Sequence, residues 1–174
     1  EKLEPAIWKY SRLRPSSFPD RRIAQLVHVL NFCPDLPRII LESRDIGRVK
    51  SLFGPLKEAA YWQNHYRLGK PVSKTNKMSI QISGETLDRL FINTLIPLRF
   101  TYDSLHGMPE AASEAINWLD QVRAEKNSII TSMIAMGFDI GSAAGSQGAL
   151  HLNQSYCQAK KCLNCAIGIK ILRS

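Results

Sequence analysis

Ser83-Gly84-Glu85-Thr86-Leu87-Asp88-Arg89-Leu90-Phe91-Ile92-Asn93-Thr94-Leu95-Ile96-Pro97-Leu98-Arg99-Phe100 is the stretch that decides the fold class. Leu87, Leu90, Phe91, Leu95, Ile96 and Leu98 recur at helical spacing, not at the alternation of a strand. Ser83, with Thr86 and Asp88 close behind, marks a helix start, and Gly107 marks its end. The stretch is apolar on nearly every side, which predicts the central buried helix. Pro97 has no N–H and is expected to kink or break it.

Helical signals extend outward in both directions. Upstream, Asp20 is a plausible N-cap for a helix carrying Ile23, Leu26, Val27 and Leu30 and ending near Pro34. Asp35 opens a short helix to Glu42, and Asp45 caps a third with Ile46, Val49, Leu52 and Phe53, stopped by Gly54-Pro55. Pro55 suits the first turn of a fourth helix to about Arg67, with Leu56, Ala59, Ala60 and Tyr61 inward. Downstream, Pro109 begins an amphipathic helix bearing Ala112, Ala115, Ile116, Leu119 and Val122. Asn127 or Ser128 caps a short apolar helix closed by Gly137, and a last helix passes Leu150, Leu152 and Tyr156. Strand alternation is nearly absent. The expected fold is all-α, a compact domain over 1–174 with about seven to nine helices and a Cys-rich C-terminal knob. Within it lie a helical subregion 1–68, a linker 69–82, and the central helices with the Cys-rich end, 83–174.

A chain of 174 residues can bury about two-thirds of its unfolded surface. No apolar run approaches the roughly 20 residues that span a bilayer, so no membrane partner is expected. The start lacks a signal-peptide pattern, which points to the cytoplasm. The first residue is not Met, so a piece of a longer protein is one expectation. The net charge of +8 is unevenly placed. Residues 1–22 hold six bases against three acids, 23–80 nine against four, 81–139 four against eight, and 141–174 four against none. Basic flanks of this kind attract phosphate polymers by counterion release, although a merely basic surface has the same composition.

Three of four cysteines lie in Tyr156-Cys157-Gln158-Ala159-Lys160-Lys161-Cys162-Leu163-Asn164-Cys165. A C-x2-C pair supplies two corners of a zinc site from one turn, and Cys157 adds a third thiolate; an iron–sulfur cluster needs the same donors. The fourth ligand is not evident, with Cys33, His65 and His151 as candidates. Reduced cysteines packed as small apolar groups are the plain alternative. A redox-active C-x-x-C lacks the strand context such chemistry needs.

A second constellation, Arg12-Leu13-Arg14-Pro15-Ser16-Ser17-Phe18-Pro19-Asp20-Arg21-Arg22, sets four arginines around a proline-stiffened loop leading into a helix N-terminus. That geometry suits phosphate, and it equally suits pinning the loop to carboxylates. Tyr61-Trp62-Gln63-Asn64-His65-Tyr66-Arg67 interleaves aromatics with positive charge, which can stack nucleobases, but packing accounts for it as well. No phosphate-binding glycine loop, G-x-S-x-G, H-E-x-x-H or carboxylate–lysine nuclease signature occurs. No catalytic constellation is therefore expected in these residues.

The segment from Arg12-Leu13-Arg14-Pro15 through Phe18-Pro19 to Arg22-Ile23-Ala24-Gln25-Leu26 resembles a recurring motif of the bacterial family called domain of unknown function 2851. So do Tyr61-Trp62 with His65-Tyr66, Ile92-Asn93-Thr94 with Pro97, Glu125 with Asn127, Ser146-Gln147 with Ala149-Leu150, and Tyr156-Cys157 with Cys162-Leu163 and Cys165-Ala166-Ile167-Gly168. The resemblance implies a chain similar to the C-terminal half of longer proteins, whose other half looks somewhat like a restriction-type nuclease core. His65 falls in a motif position, which favours it over His151 as fourth metal ligand. The expectation is then a helical, basic accessory region that binds DNA or RNA through Arg12, Arg14, Arg21, Arg22, Lys160 and Lys161. Cys157, Cys162, Cys165 and His65 would hold zinc or an iron–sulfur cluster. Its partners would be nucleic acid and the missing N-terminal domain. The alternative is a protein–protein scaffold with buried cysteines and no metal.

Overall fold

The structure is a computed structural model that describes residues 4, 7–57, 60–72 and 80–173. Among the described residues it is all-α apart from a two-stranded antiparallel hairpin and an isolated bridge between Arg123 and Ser142. The α-helices are α1 (Pro19–Phe32), α2 (Leu36–Glu42), α3 (Ile46–Ser51), α4 (Gly84–Leu90), α5 (Ile96–Leu105), α6 (Ala111–Asp120), α7 (Ser128–Ala135), α8 (Ala143–Leu152) and α9 (Ala166–Leu172). The hairpin pairs β1 (His65–Arg67) with β2 (Lys70–Pro71). Among the described residues, no helix is long and apolar enough to cross a membrane. The chain divides into two compact units, Glu1–Leu87 and Asp88–Ser174.

In the first unit, α1 does not bury its obvious apolar row. Ile23, Leu26, Val27 and Leu30 are exposed, whereas Arg21, Gln25 and Val29, four residues apart, face inward. Gln25 explains the rotation. Its buried amide donates to the carbonyls of Ile80 (2.8 Å) and Gln81 (3.2 Å). Buried carbonyls need such donors, so this polar pin outweighs the apolar spacing. Gln81 in turn accepts from the Leu56 N–H (2.8 Å) and donates to its carbonyl. The end of the expected linker 69–82 is thereby stitched to α1 and to the turn after α3; its residues 73–79 lie outside the described residues. The expected fourth helix, Pro55 to Arg67, is replaced by a 3₁₀ turn (Ala60–Gln63) and the hairpin. The His65 ring takes the Tyr61 carbonyl (2.8 Å) that a helix would have offered to the backbone, and Gly69 (φ +68°) turns the chain back.

The second unit begins within α4, whose last turn runs without a break into a five-residue π turn (Phe91–Leu95) and α5. Pro97 neither breaks nor ends the helix. The π turn rearranges the hydrogen-bond ladder just before it, and Pro97 occupies the first turn of α5, where its missing N–H matters least. Phe91, Ile92, Leu95 and Ile96 are buried as expected, and Arg99 and Asp103 continue that inward face along α5, whereas Leu98, Phe100, Tyr102 and Leu105 are exposed and α4 itself has no buried residue. Trp118 on α6, not Ile116, is the anchor: it is 1% exposed, lies 6.3 Å from the Phe91 ring, and carries the Arg99 guanidinium 4.4 Å above its own ring. Arg99 pairs with Asp103, both buried. Removing either partner of such a pair leaves a buried charge. Asn127 caps α7 through Ile130 N–H (2.9 Å), and Ser142 caps α8 through Gly145 N–H. The Glu125 carboxylate accepts from the Gln147 amide (2.6 Å), while Glu125 N–H donates to buried Ser146 (3.2 Å). These bonds tie the strap before α7 to α8.

Candidate nucleic-acid interface

The four clustered arginines separate into two kinds. Arg21 is 3% exposed, sits beside the Tyr66 ring at 5.8 Å, and is held below its ordinary pKa by burial. Arg22 is half-buried and donates to Gln25 (2.9 Å) and Thr86 (3.3 Å). Both guanidiniums serve the fold, so Arg21 and Arg22 are not presented as phosphate contacts. Arg12 and Arg14 are exposed.

What displays Arg12 and Arg14 is a latch of side chains. The Tyr10 hydroxyl donates to the Asp20 carboxylate (2.5 Å) at the start of α1, and the other Asp20 oxygen accepts from Leu68 N–H in the hairpin turn (3.3 Å). Asp20 therefore is not the N-cap, a place taken by Phe18; it fastens two loops to the positive end of the helix. Phe18 packs edge-on against Tyr10 (5.1 Å) and Tyr66 (6.5 Å). The Arg67 guanidinium lies 3.6 Å above the Tyr10 ring, a close cation–π contact. Within this frame Leu13 N–H returns to the Tyr10 carbonyl (3.3 Å), and Arg12 adopts a left-handed conformation, φ +62°.

The hairpin side of the same frame is aromatic. Tyr61 and His65 stack nearly parallel, 3.9 Å apart and 12° inclined, and the Tyr61 hydroxyl accepts from Gly69 N–H (2.8 Å). His65 Nδ1 lies 2.8 Å from the Tyr61 carbonyl and 2.7 Å from Asn64 Oδ1. A carbonyl oxygen can only accept, so this contact places a proton on Nδ1.

The Cys-rich end is a different construction. Lys161 N–H bonds the Tyr156 carbonyl (2.9 Å) and Lys160 N–H the Cys157 carbonyl (3.1 Å), with Lys160 left-handed at φ +52°. This is a Schellman motif with a lysine where glycine is usual. Cys162 then opens a 3₁₀ turn (Cys162–Asn164), and Cys165 stands at the N-cap position of α9 without a side-chain capping bond. A Cβ on Gly168 would stand 2.3 Å from the Cys162 carbonyl oxygen, so only glycine lets α9 close against that turn. Cys165 is buried, as is Cys33; Cys157 and Cys162 are exposed, and all four are free thiols. Among the described residues, no three His, Cys, Asp or Glu side chains gather into a group that could hold a metal ion. The zinc or iron–sulfur expectation for Cys157, Cys162, Cys165 and His65 thus finds no assembled donor set. What orders the knob is backbone hydrogen bonding and the Gly168 contact. Lys160 and Lys161 are exposed on it.

The family model described as a protein of unknown function, DUF2851, matches residues 1–128. The chain belongs to this family. No curated protein and no solved structure matches the chain. The DUF2851 match spans the Arg12 loop, the Tyr61–His65 motif and the strap at Glu125. Arg22 ties α1 to Thr86, and Tyr61 and His65 build the hairpin stack. Asn127 caps a helix. Sequence reasoning missed the Tyr10–Asp20 latch, Arg67 on Tyr10, and the crowding at Gly168. Only the last left a local trace, a glycine within a short apolar helix.

Proposed function

We propose that this chain is a basic, nucleic-acid-binding accessory region of a larger protein, meeting phosphate through Arg12, Arg14, Lys160 and Lys161. One observation carries the reading. Among the described residues, the non-glycine residues with left-handed backbone are Arg12 and Lys160, both exposed cations. Each such residue costs about 1–2 kcal/mol that glycine would spare. Local conformation therefore argues against a long cationic side chain at either place, and strain of this kind gathers at functional sites. The absence of any acid from 141 to 174 adds to the field around Lys160.

The test separates fold from function. Arg12→Gly and Lys160→Gly should each leave the protein as stable or about 0.5–1 kcal/mol more stable. Each should weaken binding to a fluorescent oligonucleotide and lower the slope of log K against log salt by about 1. A wild-type protein that binds no nucleic acid at low ionic strength, or binds it without salt dependence, would overturn the proposal.

A second reading, a protein-docking scaffold, is favoured by the exposed row Ile23, Leu26, Val27 and Leu30 on α1. A complex that survives nuclease treatment and is lost in Leu26→Asp would support it over the first.

A further inference from the structure

We infer that the Tyr61–His65 stack beside the Arg12 loop is a seat for an unpaired base, so that the nucleic acid bound there is single-stranded. The inference rests on the phosphate reading above but is carried by different atoms. A continuous chain of contacts links cations and ring faces on the first unit. Leu13 N–H closes the Arg12 turn on Tyr10, Arg67 covers the Tyr10 ring at 3.6 Å, and Asp20 joins Tyr10 to Leu68 in the hairpin turn. Next to Leu68, Gly69 N–H fixes the Tyr61 hydroxyl at 2.8 Å. Tyr61, 40% exposed, is then held flat on His65 at 3.9 Å.

Three features suit this arrangement to a base. The Tyr61 ring is held by its hydroxyl, by the imidazole stacked on one face and by the Trp62 ring set edge-to-face with it at 5.1 Å, so stacking a base costs it little further freedom. His65 is locked with Nδ1 on two oxygens, so the lower ring is pinned as well. Lys70 in the same hairpin is exposed, as are Arg12 and Arg14 across the latch, which supplies cations for the strand running past the ring. In a duplex each base already stacks on both faces. An exposed, pre-set aromatic step is satisfied only by a strand whose bases can splay.

Anisotropy titrations at one salt concentration with an oligothymidylate and with a duplex of equal length test this. The full chain should prefer the single strand. Tyr61→Leu should weaken single-strand binding about fivefold or more, with duplex binding and the salt slope unchanged. Tyr61→Phe, which keeps the ring but loses the Gly69 bond, should retain most of the single-strand affinity and serves as the folding control. Equal losses on both ligands, or no loss in Tyr61→Leu, would overturn the inference while leaving the phosphate reading intact. If neither oligonucleotide binds at low salt, both fall together.

Discussion

The Arg12 turn and the Lys160 turn present the same thing, an exposed cation on a left-handed backbone, yet they are built in opposite ways. The first is braced by side chains far apart in sequence: Tyr10, Phe18, Asp20, Tyr66 and Arg67. The second is braced by its own backbone, through the two Schellman bonds and the close seat of Gly168 on the Cys162 carbonyl. A turn held by side chains answers to charge and protonation. A turn held by backbone answers to volume.

The largest effect is expected where backbone meets backbone. Gly168→Ala places a methyl against a carbonyl that cannot yield, and overpacking of this kind costs about 1–3 kcal/mol. Hydrogen exchange should show faster amides from Tyr156 to Leu172, with those of the Arg12 turn unchanged. Equal acceleration at both turns would break the distinction. Next, Asp20→Ala removes the acceptor of Tyr10 O–H and Leu68 N–H together. Hydrogen bonds to a charged group are worth about 1.5–3 kcal/mol, and exposure reduces the net loss. The mutant should loosen the Arg12 turn and the hairpin, seen as proteolysis near Arg12 and Arg67, and leave cleavage at Lys160 unaltered.

The smallest effect is a pH dependence confined to the first turn. The bond to Asp20 is the chief cause holding the Tyr10 phenol above its ordinary pKa of 10.0, with Arg67 opposing it. A folded pKa above the unfolded one means that the contribution is complete below about pH 10. It disappears as pH rises through the folded value. Phenolate absorbance should show one tyrosine titrating late, and Tyr10→Phe should abolish that late step. A wild-type titration with no late tyrosine would remove the proton-sensitive half of the comparison.

Much of the helical skeleton was legible beforehand. Asp45, Asn127 and the glycines at 107 and 137 act where their chemistry placed them, because capping and left-handed stops need only neighbours in the chain. The misreadings share one cause. Ile23, Leu26, Val27 and Leu30 have ideal helical spacing, but the Gln25 amide had carbonyls to satisfy at Ile80 and Gln81, and no local pattern announces a partner 55 residues away. Pro55 to Arg67 reads as helix until His65 takes the Tyr61 carbonyl. The clustered arginines read equally as phosphate contacts or as pins for their loop, and two of them are drawn into the fold.

By itself, then, the sequence determined an all-α chain with a basic balance, several of its helix ends, and a cysteine-dense terminus. Those properties follow from periodicity, capping and composition, which act over a few residues. Only the tertiary structure decided which face of α1 turned inward and which arginines kept their charge in solvent. It alone decided that Tyr61 and His65 would lie ring on ring, and that Gly168 would seat α9 on the Cys162 carbonyl. Each of those outcomes depends on a donor, acceptor or ring supplied from elsewhere in the chain.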